Sequence, residues 1–407
     1  MLKDIRIRIP FKINDENRIC DVLCMLQIGL YIVNISPGVE QAFGIDHEVI
    51  SAIIKLILGL GFIFCIDILF RRFKRRTISY CIITVIVILV SVVAFPSNNV
   101  VFKNTVVYFL GNCFLPFIFW TIVRDFECLK RKMVKTAEII AVLSLIVLLL
   151  SVGVVNLGFQ FSLGKYSMGF GYSCLVPWLF IMMEFMQKPT FKQGVFAIVI
   201  FMAVMSLGSR GPLVGMFAFV IIAFVKINHE NKKDVRIAIG FLAGIIFLLF
   251  SNSIFIWLYN YLYGIGINSR TLALLSYDIG HKSGRDKIYA FFLKEIFSHP
   301  FAIHGINGEQ ALGYNYPHNM VLELLYQFGI VFGGLIIVAI AIRAIKILKA
   351  SHINKDAKQQ MEIIFLCASL PSLMISGTLW TQSNFWTWLA VSINRINVYP
   401  KKQRGKI

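Results

Sequence analysis

The sequence YPHNMVLELLYQFGIVFGG, residues 316–334, marks the boundary between two very different parts of this chain. Before it lies a polar segment from Tyr259 to Pro317, which holds three of the chain's seven histidines. After it the residues are mostly apolar, and their pattern predicts a helix that starts near Asn319. Since most of the remaining chain is equally apolar, the polar segment is where we expect chemistry.

The composition is that of a membrane protein. Hydrophobic residues make up 57% of the chain, charged residues only 15%, and the mean hydropathy is +0.75, which excludes a soluble protein with one core. The formal net charge of +19 does not indicate a nucleic-acid partner, because the basic residues form short clusters between apolar runs. The eight cysteines lie in or beside these runs, so we expect neither a disulfide framework nor a cysteine-ligated zinc site.

The apolar runs predict an all-α, polytopic membrane helix bundle. A spanning helix needs about 20 residues, and twelve runs qualify, of which the first and last are the shortest. No repeat, low-complexity segment or soluble domain interrupts them, so residues 1–407 are predicted to form a single integral membrane domain. The runs are centred near residues 28, 59, 87, 112, 146, 178, 200, 219, 245, 330, 370 and 388.

The connecting segments alternate in charge, and this alternation predicts the orientation. Residues 1–20 are polar and basic and lack a signal-peptide cleavage site, so we expect a cytoplasmic N-terminus. On that basis the inner segments hold 31 of the 40 Lys and Arg residues. The positive-inside rule then predicts N-in, C-in and one long outer loop over residues 258–318, where neither ATP nor nucleotide sugars are present. Within it, residues 285–297 have an amphipathic pattern that predicts a short helix lying over the site at the membrane interface.

Two arginines on the outer side are candidate anion-binding residues. Arg210 lies between two apolar runs, and an Arg at membrane depth costs roughly 2.5–3.5 kcal/mol, so we expect it to face a cavity and an anion. The alternative is an Arg that extends to lipid phosphates. Arg285 begins the amphipathic helix, and together the two guanidinium groups would bind a diphosphate through bidentate hydrogen bonds. The alternative for Arg285 is a surface ion pair with Asp286 or Asp278.

His318 is the candidate general base. It follows the proline that ends the loop and precedes the predicted helix, so its imidazole is expected at the outer membrane boundary, where it can take a proton from a hydroxyl group. A structural histidine is the alternative. Glu323, further along the same helix, is expected either to orient His318 or to make an unrelated buried hydrogen bond.

Metal ions and cofactors are not expected. The other loop histidines, His281, His299 and His304, lack a metal-ligand spacing. Among the acidic residues of the first outer loop, Glu40, Asp46 and Glu48, no DxD-like pair occurs. A metal bound by that acidic loop is the alternative that we consider here.

Three stretches together resemble a known family: SRGPLVGM (209–216), GRDKIYAFFLKEIFSHPFAIHGING (284–308) and the stretch 316–334. They resemble the bacterial O-antigen polymerase (Wzy) and O-antigen ligase (WaaL) superfamily over about residues 160–345. The most specific part is a His, an amide residue, nine further residues and a Gly, matched by His318, Asn319 and Gly329. The ligase form has Gly, Thr or Tyr three positions later, where this chain has Phe332, which favours the polymerase.

The resemblance implies a GT-C-like glycosyltransferase of the bacterial cytoplasmic (inner) membrane, with its active site facing the periplasm. Such an enzyme joins undecaprenyl-diphosphate-linked repeat units into a surface polysaccharide, inverts the anomeric carbon and needs no metal. Its partners are the donor and acceptor glycans, the lipid bilayer and a polysaccharide chain-length regulator. His318 would be the general base, with Arg210 and Arg285 as the other catalytic residues. The predicted substrate-binding residues are Arg210, Arg285, Tyr314, Asn319 and Glu323.

Two alternatives stay open. A ligase would transfer the finished glycan to lipid A core. A lipid-linked oligosaccharide flippase or transporter would also have about twelve spans, but transporters usually place polar groups near the midplane and repeat their architecture in two halves. Here the polar residues gather on one side and the halves differ.

Overall fold

The chain folds into a helical bundle in the computed structural model. The structure describes residues 14–98, 105–156, 168–207, 210–226, 255–264, 272–273, 276, 285–314, 316–349 and 356–394, with no strand in these ranges. All-helical structure was predicted from the apolar runs and is confirmed for these ranges.

Thirteen helices are labelled in chain order. Residues 255–264 are helical as well. The labelled helices are α1 (Asp15–Phe43), α2 (His47–Phe64), α3 (Ile66–Arg72), α4 (Arg75–Ala94), α5 (Thr105–Thr121), α6 (Phe126–Asn156), α7 (Met168–Gln187), α8 (Phe191–Leu207), α9 (Arg210–Lys226), α10 (Arg285–Ser298), α11 (Met320–Lys349), α12 (Ala357–Ile375) and α13 (Ser383–Ile393).

Six of the described helices are long and apolar enough to cross a membrane: α1, α2, α4, α6, α7 and α11. Three shorter apolar helices, α5, α8 and α9, accompany them. The first run was predicted to be short, but α1 has 29 residues, whereas α13 has only 11. The run near residue 245 lies outside the described residues, so the count of twelve spans stays a prediction.

Short polar signals set the ends of several helices. The side-chain oxygens of Asn14, Asp46 and Asp356 each accept a hydrogen bond from a backbone N–H of the first turn of α1, α2 and α12. Such caps satisfy donors that the helix itself leaves open. Gly44 ends α1 in the left-handed conformation, at φ 68°, which lets the chain turn directly into α2.

The core lies around α7 and α12. In the apolar part of α7, 67% of residues are buried, against 6% in α2 and 11% in α4. The exposed apolar residues of α2 and α4 therefore form the lipid-facing surface expected of a membrane bundle. Aromatic rings pack α5 against α13: the ring centroids of Phe109 and Trp386 are 4.9 Å apart.

The segments with the basic clusters meet at one end of the bundle, which we call the basic end (residues 14–21, 66–76, 120–138, 184–192, 343–349, 356–362 and 392–394). Arg72 pairs with Glu16, and the same carboxylate accepts hydrogen bonds from the backbone N–H groups of Arg124 at 3.2 Å and Asp125 at 3.3 Å. Further ion pairs join Arg71 to Asp15, Lys132 to Asp21, Lys130 to Glu184, Lys192 to Glu138 and Arg343 to Glu362.

The opposite ends of these helices meet at the loop end (residues 91–98, 168–172, 210–211, 285–314, 316–328 and 376–382). The Asn98 amide donates to the backbone oxygens of His304 at 2.9 Å and Ile306 at 3.1 Å. The backbone N–H of Ile306 donates to the Ser91 hydroxyl at 2.8 Å. These bonds fix residues 304–306 against the end of α4. Which membrane face each end occupies stays a prediction from the charge pattern.

Candidate functional site

His318 has an unusual backbone conformation directly before α11. Its φ is +58°, and apart from Asn307 no other non-glycine residue in the described ranges has a positive φ. The next residue, Asn319, accepts hydrogen bonds through its side-chain oxygen from the N–H groups of Val321 at 2.9 Å and Leu322 at 3.3 Å. This cap starts the helix where the sequence predicted. Because the cap uses the side-chain oxygen of Asn319, only the NH₂ group of this residue remains for a contact with substrate.

The His318 ring is half-buried and packs against Tyr316, with ring centroids 4.2 Å apart. Its backbone oxygen accepts a hydrogen bond from the Tyr289 hydroxyl at 3.2 Å. The ring Nδ1 is buried and has no hydrogen-bond partner among the described residues. The surrounding structure thus holds the residue in place and leaves the buried Nδ1 without a described partner.

Arg285, the first residue of α10, lies close enough to act on His318 electrostatically. Burial lowers the pKa of His318 below its ordinary value of 6.5, and the charge of Arg285 lowers this pKa further. The imidazole is therefore neutral near pH 7, the form that can accept a proton. The alternative pairing of Arg285 with Asp286 is not observed, and Asp278 lies outside the described residues.

Helix α10 carries Arg285 and packs on the first part of α11. Phe292 and Ile296 are buried against Leu322 and Tyr326. The helix predicted near 285–297 thus forms, but its buried face contacts protein rather than membrane lipid. Tyr314 packs in the same cluster, with its ring centroid 5.1 Å from that of Phe291, so its ring has a packing role at this site.

Gly329 breaks α11 into two parts, 320–328 and 330–349. Its φ of +71° and ψ of 169° lie in a region that is essentially restricted to glycine. The polar loop supplies the hydrogen bonds that the break removes from the helix: Ile330 N–H donates to the Pro300 oxygen at 2.8 Å, and Gly305 N–H donates to the Gln327 oxygen at 3.0 Å. The nine residues between Asn319 and Gly329 are therefore a short capped helix, and the spanning part of this run is centred nearer residue 340 than 330.

Glu323 does not reach His318 and instead belongs to a buried polar cluster. Its carboxylate accepts hydrogen bonds from the Thr378 hydroxyl and from the backbone N–H of Leu379, the latter at 3.2 Å. The second expectation for this residue, a separate buried hydrogen bond, is the one observed. At 1% exposure, Glu323 is not accessible to a substrate, and its predicted role in substrate binding is not supported by this position.

A second carboxylate, Glu309, shares this cluster and was not recognised in the sequence. The amide of Gln327 donates to both Glu309 oxygens at 3.1 Å and to Glu323 at 3.5 Å, while its oxygen accepts from the Trp380 indole at 2.9 Å. Burial raises the pKa of Glu309 to about 7. No cation of the described residues forms an ion pair with either carboxylate, so near neutral pH the pair retains a proton.

The start of α9 places Arg210 at the same end of the bundle. A Cβ on Gly211 would lie 2.1 Å from the Tyr172 hydroxyl, so α9 begins against the first turn of α7. The start of α7 also contacts residues 376–382, since the Met168 sulfur lies 3.2 Å from the Ser376 hydroxyl. The side chain of Arg210 lies outside the described residues, so its meeting with Arg285 and His318 stays a prediction.

A separate acid–histidine group lies in the loop between α1 and α2. Ligand atoms of Glu40, Asp46 and His47 lie within 4.8 Å of one another, and His47 Nδ1 is 2.5 Å from a Glu40 oxygen. No DxD-like pair was found in the sequence, and this group forms instead through the turn at Gly44. Carboxylate and imidazole groups are ligands for divalent metals such as zinc, but Asp46 is exposed and also caps α2, while Glu40 and His47 are only half-buried.

Comparison of the chain with protein-family models, with curated proteins and with solved structures gave no match. The family resemblance therefore rests on the three quoted stretches alone. The function has to be inferred from the chemistry of the loop end.

Proposed function

We propose that this chain is a membrane glycosyltransferase that polymerises lipid-diphosphate-linked oligosaccharide repeat units into a surface polysaccharide of the O-antigen type. The observation that carries this proposal is the half-buried imidazole of His318, whose Nδ1 has no hydrogen-bond partner among the described residues, near enough to Arg285 for that charge to help keep the ring neutral. A base next to a fixed positive charge is what transfer from a diphosphate leaving group requires.

The proposed reaction needs one proton acceptor and one anion-binding group. The acceptor hydroxyl oxygen attacks the anomeric carbon of the donor, the bond from that carbon to the diphosphate oxygen breaks, and the hydroxyl proton passes to His318. Arg285 and Arg210 stabilise the diphosphate as it takes up the electron pair of the broken bond. Attack opposite to the leaving group inverts the anomeric carbon. Since the diphosphate already activates the donor sugar, the scheme requires no nucleotide.

The location of the site supports the same proposal. His318 and Arg285 lie at the loop end, opposite the basic clusters, and the positive-inside rule assigns those clusters to the cytoplasm. The active site would then face the periplasm of the cytoplasmic (inner) membrane, where undecaprenyl-diphosphate-linked glycans are used. A chain-length regulator is a further expected partner.

Complementation of a deletion strain tests this proposal. With His318→Ala we expect surface polysaccharide only one repeat long on a lipopolysaccharide gel, while wild type restores long chains. His299→Ala is the matched control, because His299 is an exposed histidine of the same loop and its loss should change nothing. Normal chains from His318→Ala, at equal protein level, would remove His318 from the mechanism. Complete loss of capped repeats in the deletion strain would indicate a ligase.

Transport of a lipid-linked oligosaccharide is the second candidate, and one observation favours it. The buried pair Glu309 and Glu323 holds a proton near neutral pH, and buried carboxylates in membrane proteins often relay protons for transport. A transporter predicts that the deletion strain accumulates repeat units on the inner leaflet. The polymerase predicts that they accumulate on the outer leaflet.

A further inference from the structure

A cleft at the basic end lies between four helices. It has a volume of about 680 Å³, within the range of roughly 300–1,000 Å³ typical of ligand sites. Helix α6 forms most of its wall, and α1, α7 and α8 contribute one residue each. The lining includes five basic residues and three glutamates: Lys130, Arg131, Lys132, Lys135, Lys192, Glu127, Glu138 and Glu184.

Three of the five basic residues are already neutralised by carboxylates. The pairs are Lys130 with Glu184 at 2.5 Å, Lys132 with Asp21 at 2.6 Å and Lys192 with Glu138 at 2.7 Å. Arg131 and Lys135 are exposed and form no ion pair with a described carboxylate. They are four residues apart on α6, so their Cβ atoms lie about 5–6 Å apart on one helix face. The cleft therefore presents two cations side by side, with Glu127, four residues before Arg131, as its one carboxylate without a described cation partner.

We propose that this cleft binds the phosphate headgroup of an anionic phospholipid through Arg131 and Lys135. A phosphodiester has one negative charge shared by two non-bridging oxygens, and these match two adjacent donors. The source is inferred to be lipid because the cleft opens between helices at the end with the basic clusters, where anionic headgroups are concentrated and interhelical basic pockets bind them. This site is distinct from the loop end and does not depend on the proposed reaction.

The basic residues at the start of α4 provide a matched control. Arg75 and Arg76 are also exposed, form no ion pair with a described carboxylate and contribute equally to the charge of the basic end, but they do not line the cleft. The double variant Arg131→Gln/Lys135→Gln and the double variant Arg75→Gln/Arg76→Gln therefore remove the same charge. General attraction to an anionic surface would weaken in both, whereas binding in the cleft would weaken only in the first.

The test measures binding of short-chain phosphatidylglycerol to the full chain in neutral detergent, by the rise in melting temperature and by native mass spectrometry. Phosphatidylcholine and inorganic phosphate are the comparison ligands. We expect phosphatidylglycerol to bind the wild type in preference to both. The affinity should fall about 10- to 30-fold in the cleft variant and stay unchanged in the Arg75/Arg76 variant.

Equal losses in both double variants, or no preference for phosphatidylglycerol over phosphatidylcholine, would overturn the proposal. Equal protection by inorganic phosphate would show a small-anion site instead of a lipid site. The exchange Arg131→Lys/Lys135→Arg keeps both charges, so it must retain binding; loss of binding in this folded variant would also contradict the proposal.

Discussion

At the basic end Arg72 is paired with Glu16, whereas at the loop end Arg285 lies near enough to lower the pKa of His318 and has no described carboxylate partner. The carboxylates show the same contrast: Glu16 is paired with a cation, but the buried Glu309 shares only the amide of Gln327 with Glu323. Neutralised charges join helices, while charges without counterions remain available for a ligand or a proton. The paired charges of the basic end therefore join helices, Arg131 and Lys135 there remain unpaired for the proposed headgroup, and the loop end holds the groups proposed for the transfer reaction.

The largest expected effect concerns Arg285. Changing Arg285→Gln removes the positive charge beside His318 and should reduce transfer about 10²–10³-fold, as for loss of one group that stabilises developing negative charge. The assay is conversion of lipid-diphosphate-linked repeats by the purified protein. Lys287→Gln, an exposed residue two positions along α10, is the control. Similar losses in the two variants would show that overall charge, not the position of Arg285, matters.

The break in α11 provides the second prediction. Gly329→Ala forces a side chain into a glycine-only conformation, and the new Cβ would also lie 3.1 Å from the Ala302 oxygen. We expect a loss of about 1–3 kcal/mol in stability, seen as a lower melting temperature. Gly334→Ala is the control, because a Cβ there meets nothing within 4 Å. If Gly329→Ala and Gly334→Ala melted at the same temperature, the glycine conformation at residue 329 would not be required for stability.

The third prediction concerns pH. The pKa of Glu309 is raised by burial from 4.5 to about 7, so between these values the folded state binds more protons than the unfolded state. The stabilisation by this proton is complete below pH 4.5 and is lost as pH rises through 7, at up to about 1.4 kcal/mol per pH unit. Glu309→Gln should flatten this part of a melting-temperature curve. An unchanged slope would contradict a proton held by this pair.

The smallest effect is expected at the basic end. Arg72→Gln removes two ion pairs, with Glu16 and Asp15. Because Glu16 keeps its two backbone N–H donors and Asp15 keeps Arg71, we expect a loss of only about 1 kcal/mol in stability with unchanged transfer rate. Salt should reduce the difference from wild type, because screening already weakens the pairs. The measurement is thermal unfolding at low and high salt alongside the transfer assay. A large loss of transfer in a stable Arg72→Gln protein would break the division between the two ends.

Local signals in the sequence predicted the parts of the site that depend on nearby residues. Asn319 before an apolar run predicted a helix start, and the amphipathic pattern of 285–297 predicted α10. Both depend on residues within a few positions of one another. The positive φ of Gly329 could not be predicted from the residues around it. This conformation is needed only because residues 300–305 pack against the break in α11.

Long-range contacts explain what the sequence did not show. Glu309 looked like any other acidic loop residue, and its burial follows from contacts with Gln327, which lies 18 residues away. Glu323 and Gln327 are four residues apart, which places them on one helix face. This spacing is the one local sign of the cluster in the sequence. The link to Thr378 spans 55 residues and leaves no local pattern.

The pH dependence of transfer by the purified protein tests the central claim most directly. The fall of kcat/KM at acid pH reports the pKa of the essential base in the free enzyme. Because burial and Arg285 lower the pKa of His318, we predict a wild-type midpoint below 6.5, an upward shift in the residual activity of Arg285→Gln, and no such midpoint in His318→Ala. A midpoint at or above 6.5 that Arg285→Gln leaves unchanged would contradict a neutral His318 acting beside Arg285.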